Sequence, residues 1–217
     1  KYVYIGENTE EYLVSILSII DGNDKFYIPQ QKLSIEKENG FPIPFEGLYQ
    51  TDLFEEYEKQ LGFLVDSNWE NDIYLANTIF ALQKQYLWSC LHGKGTDTLS
   101  QFEFIKSRAA FAQCLATSNF DIDYPFLIFC GDVSGIQEFI YNIYSRKAAK
   151  SIKGRSFYLQ LLVDTITQRI IKDTQTTIAN VIYSSGGKFF MLLPNTIAVQ
   201  QQLKNLEQKI TAEIYEE

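Results

Sequence analysis

Two short stretches about fifty residues apart carry the groups that could hold an anion. In the first, the apolar run Phe126-Leu127-Ile128-Phe129-Cys130 stops at Gly131-Asp132-Val133-Ser134-Gly135 and continues as the amphipathic Ile136-Gln137-Glu138-Phe139. In the second, Val181–Ser185 and Lys188–Pro194 read as apolar strands around a Gly186-Gly187 tip. Gly131, Gly135, Gly186 and Gly187 let backbone approach a flat base or a phosphate closely, and a helix opening at Ile136 would offer free N–H groups to an anion. Asp132, Ser134, Gly135, Ile136, Gln137, Gly186, Gly187 and Lys188 are therefore the candidate binding residues. Two-metal phosphoryl transfer needs paired carboxylates. The hairpin tip offers Lys188 and the strand end only Asp132, so neither a catalytic residue nor a metal ligand is expected here.

Between the two stretches lies a basic run, Arg146, Lys147, Lys150, Lys153 and Arg155. Lys150, Lys153 and Arg155 are candidates for phosphate or nucleic-acid contact, and a solvated face is the plainer reading of the same residues. Asp132 and Ser134 have a plainer reading too, as caps of the helix that follows. Tyr183 and Phe189 read as core side chains, and Trp69, Trp88 and His92 as packing or surface residues.

The chain of 217 residues carries a net charge of −8, unevenly spread. Residues 1–125 hold 9 basic and 19 acidic side chains, whereas residues 126–193 hold 8 and 4. A locally positive stretch in an acidic chain points to an anionic ligand there. Cys90, Cys114 and Cys130 lie far apart and His92 is the single histidine, which excludes a zinc ribbon or a His-Asp nuclease site within this chain. No apolar run approaches the roughly 18 residues of a membrane span, and no basic-apolar leader is present. A cytoplasmic protein is expected.

The elements that must position the two stretches fall into two parts. Residues 1–125 read as mainly helical: a helix after Asn8-Thr9, an extended Pro-containing stretch over 25–50 that wraps a surface, and helices over 51–64, 72–91 and from Ser100. Residues 126–217 read as strand, short helix, basic linker over 146–155, long helix over 156–172, hairpin over 180–193 and a last helix over 196–213. The fold class is thus α+β, with a helical N-terminal part before a ferredoxin-like β-α-β-β-α domain lacking its last strand. A central strand left with a naked edge predicts that the chain is cut and that a fourth strand follows residue 217 or comes from a partner. In this topology the first strand is antiparallel to the third, so Asp132 should face Lys188.

The domain resembles the palm of nucleotidyltransferases and cyclases. More specifically, Gly131–Ile140, Ala148–Leu162 and Asn180–Thr196 are three ordered blocks similar to the first palm of the large signature subunit of type III CRISPR effector complexes, in its Csm-type branch. The resemblance implies a multidomain parent with an HD nuclease and a second palm whose GGDD hairpin makes cyclic oligoadenylates from ATP. It implies that ATP sits between the palms as ligand, that Mg or Mn belongs to the partner palm, and that this palm binds nucleotide without performing the chemistry. The implied partners are the GGDD palm, the subunit that holds the guide-RNA handle and, indirectly, guide and target RNA. A scaffold role, docking that subunit or nucleic acid without ligand binding, is the alternative. A free-standing cyclase is disfavoured because its acids are missing.

Overall fold

The computed structural model describes residues 12–22, 26–36, 41–44, 48, 51–93, 98–118, 123–142 and 148–215. The helix expected after Asn8-Thr9 falls largely outside these residues. The chain divides into two compact units, Lys1–Ser107 and Arg108–Glu217.

In the first unit, β1 (Leu13–Val14), β2 (Phe26–Ile28) and β3 (Ile43–Pro44) form a small antiparallel sheet with β2 in the middle. The extended stretch was expected to wrap a surface, but it supplies two of these three strands. Proline is compatible with this placement because Pro44 sits on the edge strand β3, where its missing N–H costs no inner ladder bond. Helix α1 (Ile16–Asp21) follows β1 and ends at Gly22 in the left-handed conformation. Helices α2 (Leu53–Asp66), α3 (Asp72–Leu87) and the start of α4 (Gln101–Thr117) enclose a core of Leu53, Tyr57, Tyr86, Leu87, Phe102 and Ile105. Asn71 caps α3, accepting from the backbone N–H of Ile73 at 2.8 Å. Helix α3 ends at Leu87 rather than Leu91, because residues 88–90 turn and Leu91 then bridges to Ser100. Ser100 in turn accepts from the Glu103 N–H at 3.2 Å and so starts α4 where its polar side chain suits a cap.

The second unit contains β4 (Phe126–Asp132), α5 (Ile136–Tyr141), α6 (Ala148–Thr174), a 3-10 turn (Ile178–Asn180), β5 (Val181–Ser185), β6 (Lys188–Pro194) and α7 (Ile197–Tyr215). The strands are antiparallel in the order β4-β6-β5. This is the order of a ferredoxin-like sheet, and among the described residues no strand pairs with the outer edge of β4. Alternate β6 residues Phe189, Met191 and Leu193 meet Val163, Ile170 and Ile171 of α6 and Val199, Leu203 and Leu206 of α7. Their spacing of two on the strand, and of three or four on the helices, turns one face of each element inward.

One expectation changes in detail. The basic linker over 146–155 is helical from Ala148 onward, since Ala148-Ala149 favours helix and no proline stops it. Arg146 and Lys147 fall outside the described residues. The division between units lies within α4, earlier than the change of sequence pattern at 125/126. The last turns of α4 pack on the sheet of the second unit: Phe111 meets Phe126 edge-on at 5.1 Å, and buried Cys114 lies 3.7 Å from the Leu192 carbonyl.

Candidate nucleotide site at the strand–helix corner

The β4–β6 register pairs Asp132 with Lys188, and their side chains meet, Oδ2 to Nζ at 3.2 Å. The corner and the hairpin tip expected to converge are therefore one locality. A hydrogen bond from the Val133 N–H to the Gly187 carbonyl, at 2.9 Å, ties the two turns together. Gly186 and Gly187 have φ of +63° and +82°, the pair of left-handed residues that a tight hairpin turn requires.

The four glycines do different work. A Cβ on Gly187 would lie 1.9 Å from the Ile136 side chain, and one on Gly131 would lie 2.2 Å from the Phe189 ring. Those two bare backbones are filled from within the protein and serve the packing of turn on turn. Gly135 and Gly186 have nothing within 4 Å and remain open to a ligand. Of the eight candidates, Asp132, Ser134, Gly135, Gln137, Gly186 and Lys188 are exposed, while Ile136 is half-buried and Gly187 buried. Ile136 and Gly187 thus fix the shape of the corner.

Helix capping does not account for the corner's polar groups. The residue preceding α5 is Gly135, at φ +76°, and no side chain caps the helix. The Ser134 hydroxyl and the Gln137 amide have no hydrogen-bond partner among the described residues. Helix α5 is only six residues long, so its dipole contributes little to holding an anion. Asp132 faces Lys188, so the ammonium is not a free positive charge but half of an exposed pair. Such pairs contribute ~0–1 kcal/mol and exchange partners readily. One carboxylate already beside a lysine also makes a poor divalent-cation site, and the donor set does not fit a two-metal centre.

The three basic candidates separate. Lys150 and Lys153 are exposed on the first turns of α6, with no ion-pair partner among the described residues. Arg155 instead turns to the carbonyl oxygens of Phe139 and, at 3.0 Å, Asn142, with its guanidinium carbon 5.3 Å from the centre of the Phe139 ring. An open cavity of about 610 Å³ is lined by Gly135, Glu138, Phe139, Asn142 and Arg155.

The sheet face turned away from α6 and α7 is open beside the corner. Ile128 is 67% exposed, Tyr183 50% and Phe190 40%. Cys130 faces Phe190, and Tyr183 lies on the other side of it, so these side chains share one face. Phe189 is core as expected; Tyr183 is not. A β-bulge between Val181 and Tyr183 puts Tyr183 opposite Phe190 instead of on the inner face, and residue types alone do not reveal a bulge. The alternation of Lys188, Phe190 and Leu192 against Phe189, Met191 and Leu193 was the available signal for a second apolar face.

Comparison with known proteins fits this geometry. Residues 125–217 match the family model for the Csm1 subunit domain B. The chain is similar to the "CRISPR system single-strand-specific deoxyribonuclease Cas10/Csm1 (subtype III-A)" of Enterococcus italicus, with 29% identity over 90% of this chain and 29% of the relative. The protein of the same description from Mycobacterium tuberculosis is 30% identical over 70% of this chain and 21% of its own length. The chain therefore spans under a third of these relatives. A crystal structure of a Csm1–Csm4 cassette in complex with cA4 shares the fold, with a TM-score of 0.71 and 22% identity over 98% of this chain and 29% of that one.

Proposed function

Since the chain belongs to the Csm1 family, as a segment of the large subunit of type III CRISPR effector complexes, we propose that its second unit is a non-catalytic palm forming half of a composite ATP site for cyclic oligoadenylate synthesis. The observation that carries this reading is the Asp132–Lys188 corner. It is one exposed, glycine-lined locality with a displaceable ammonium and, among the described residues, an unpartnered hydroxyl and an unpartnered amide. Lys188 neutralises phosphate once Asp132 releases it. Ser134 and Gln137 supply a donor and a donor–acceptor to sugar or phosphate, and the open backbone at Gly135 and Gly186 admits a flat group.

With one carboxylate, this half holds and orients nucleotide. A partner palm carrying paired acids supplies the cations and the chemistry, and the exposed Ile128–Tyr183–Phe190 face beside the corner is where it would rest. The cA4 bound by the similar Csm1–Csm4 cassette is the class of product such a site would make, and a Csm4-like subunit is the corresponding partner.

Titration of ATP into the complete large subunit tests the proposal. Lys188→Glu is expected to weaken binding at least tenfold, about 1.4 kcal/mol, and Ser134→Ala to weaken it less. Unchanged affinity in both variants overturns it. A scaffold role is favoured by one observation, the Lys150 and Lys153 side chains that stand on the exposed turns of α6 with no ion-pair partner among the described residues. Loss of salt-dependent RNA binding on neutralising both, with ATP affinity intact, would select that reading.

A further inference from the structure

We propose that Arg155 is a positioning residue that holds the strand–helix corner against the hairpin tip, an inference that rests on the nucleotide-site reading. Helix α5 has six residues and none is buried, so packing alone does not fix it. Two anchors do. At its start, Ile136 fills the space over Gly187, and the Val133 N–H reaches the Gly187 carbonyl at 2.9 Å. At its end, Arg155 Nη1 donates to the carbonyls of Phe139 and Asn142, two groups that a helix terminus leaves without an intrahelical partner.

The guanidinium also lies over the Phe139 ring, which meets the Tyr158 ring at 5.9 Å. All these contacts come from the first turns of α6, whose later turns are locked into the core through Val163, Ile170 and Ile171. Arg155 therefore transmits the rigidity of α6 to the corner bearing Asp132, Ser134 and Gln137. A cation at a helix C-terminus is the favourable sign for the dipole, and a planar fork that both donates and stacks is something lysine cannot supply. With both Nη1 hydrogens given to the carbonyls, direct phosphate contact, the role the sequence suggested, would fall to the remaining Nη2 and Nε donors.

The experiment uses the complete large subunit with Arg155→Ala and Arg155→Lys. Amide hydrogen exchange over residues 136–142 is expected to accelerate about tenfold or more in both variants, the scale of a missing charge-assisted hydrogen bond, while the α6–α7 core is unchanged. Affinities for ATP and for adenosine are expected to fall by the same factor. Unaltered exchange over 136–142 overturns the inference. So does a loss confined to ATP with adenosine unaffected, or full recovery in Arg155→Lys, since either marks direct charge pairing with phosphate. If the unmodified subunit binds neither ligand, the nucleotide reading fails, and the exchange measurement still decides whether Arg155 holds α5.

Discussion

Gly186 and Gly187 adjoin in sequence yet answer to different constraints. Both need positive φ, but Gly187 also faces Ile136 at a distance no Cβ tolerates, whereas Gly186 faces open space. Gly187→Ala is expected to destabilise the protein by about 2–3 kcal/mol and Gly186→Ala by about 1 kcal/mol, read from denaturant midpoints at constant m. Thiol chemistry separates in a similar way. Burial pushes the Cys114 and Cys90 thiols up to about 11, so at pH 8 both are protonated and inert, while exposed Cys130 is not shielded. Alkylation at pH 8 should label Cys130 first, and reaction of the other two should rise only as pH climbs toward their raised values. The meeting of Asp132 with Lys188 was legible because a ferredoxin-like strand order dictates it. The employment of Arg155 was not. Its acceptors lie 13 and 16 residues back in the chain, and a backbone carbonyl leaves no mark in the residue types.

The elements of the second unit are pinned by a polar knot as well as by the apolar core. Asn180 is fully buried. Its amide donates to the Leu192 carbonyl at 2.7 Å, and its Oδ1 accepts from the Thr177 N–H and hydroxyl, each at 3.2 Å. Thr174 and Thr176 join hydroxyls at 3.0 Å beside it. The turn between α6 and β5 is therefore fastened to the middle of β6. Asn180→Ala takes the amide from the Leu192 carbonyl and strands the Thr177 N–H, while the Thr177 hydroxyl keeps Gln113 Oε1 at 3.2 Å, and should cost about 2 kcal/mol in chemical unfolding. Asn180→Asp should cost at least as much, because it buries a charge with no cation nearby among the described residues. Helix and strand identities in this unit followed from periodicity, whereas the start of α6 did not. Its first turns carry lysines and a glycine in place of an apolar stripe, so a pattern that seeks burial sees a linker.

At the scale of the molecule, the charge contrast between the acidic first 125 residues and the basic segment after them is visible in composition, and so is the α+β class. The exposed sheet face is not, because a strand with both faces apolar reads the same whether one face or two are covered. If a partner palm rests on that face, Phe190→Ser should leave stability within about 1 kcal/mol yet weaken ATP binding by the complete subunit. If Lys150 and Lys153 touch single-stranded nucleic acid, replacing both with Gln should shallow the logarithmic salt dependence of binding by about 0.7 for each phosphate no longer neutralised.

The Val133–Gly187 bond has a consequence for how a guest could be received. With the two turns tied edge to edge, a nucleotide held as proposed would lie across their outer rim, over the open backbone of Gly135 and Gly186, like a card against a shelf. A shelf has one side. On that reading, whatever grips the opposite flank of the card would be brought by another surface, and occupancy would report whether that surface has arrived.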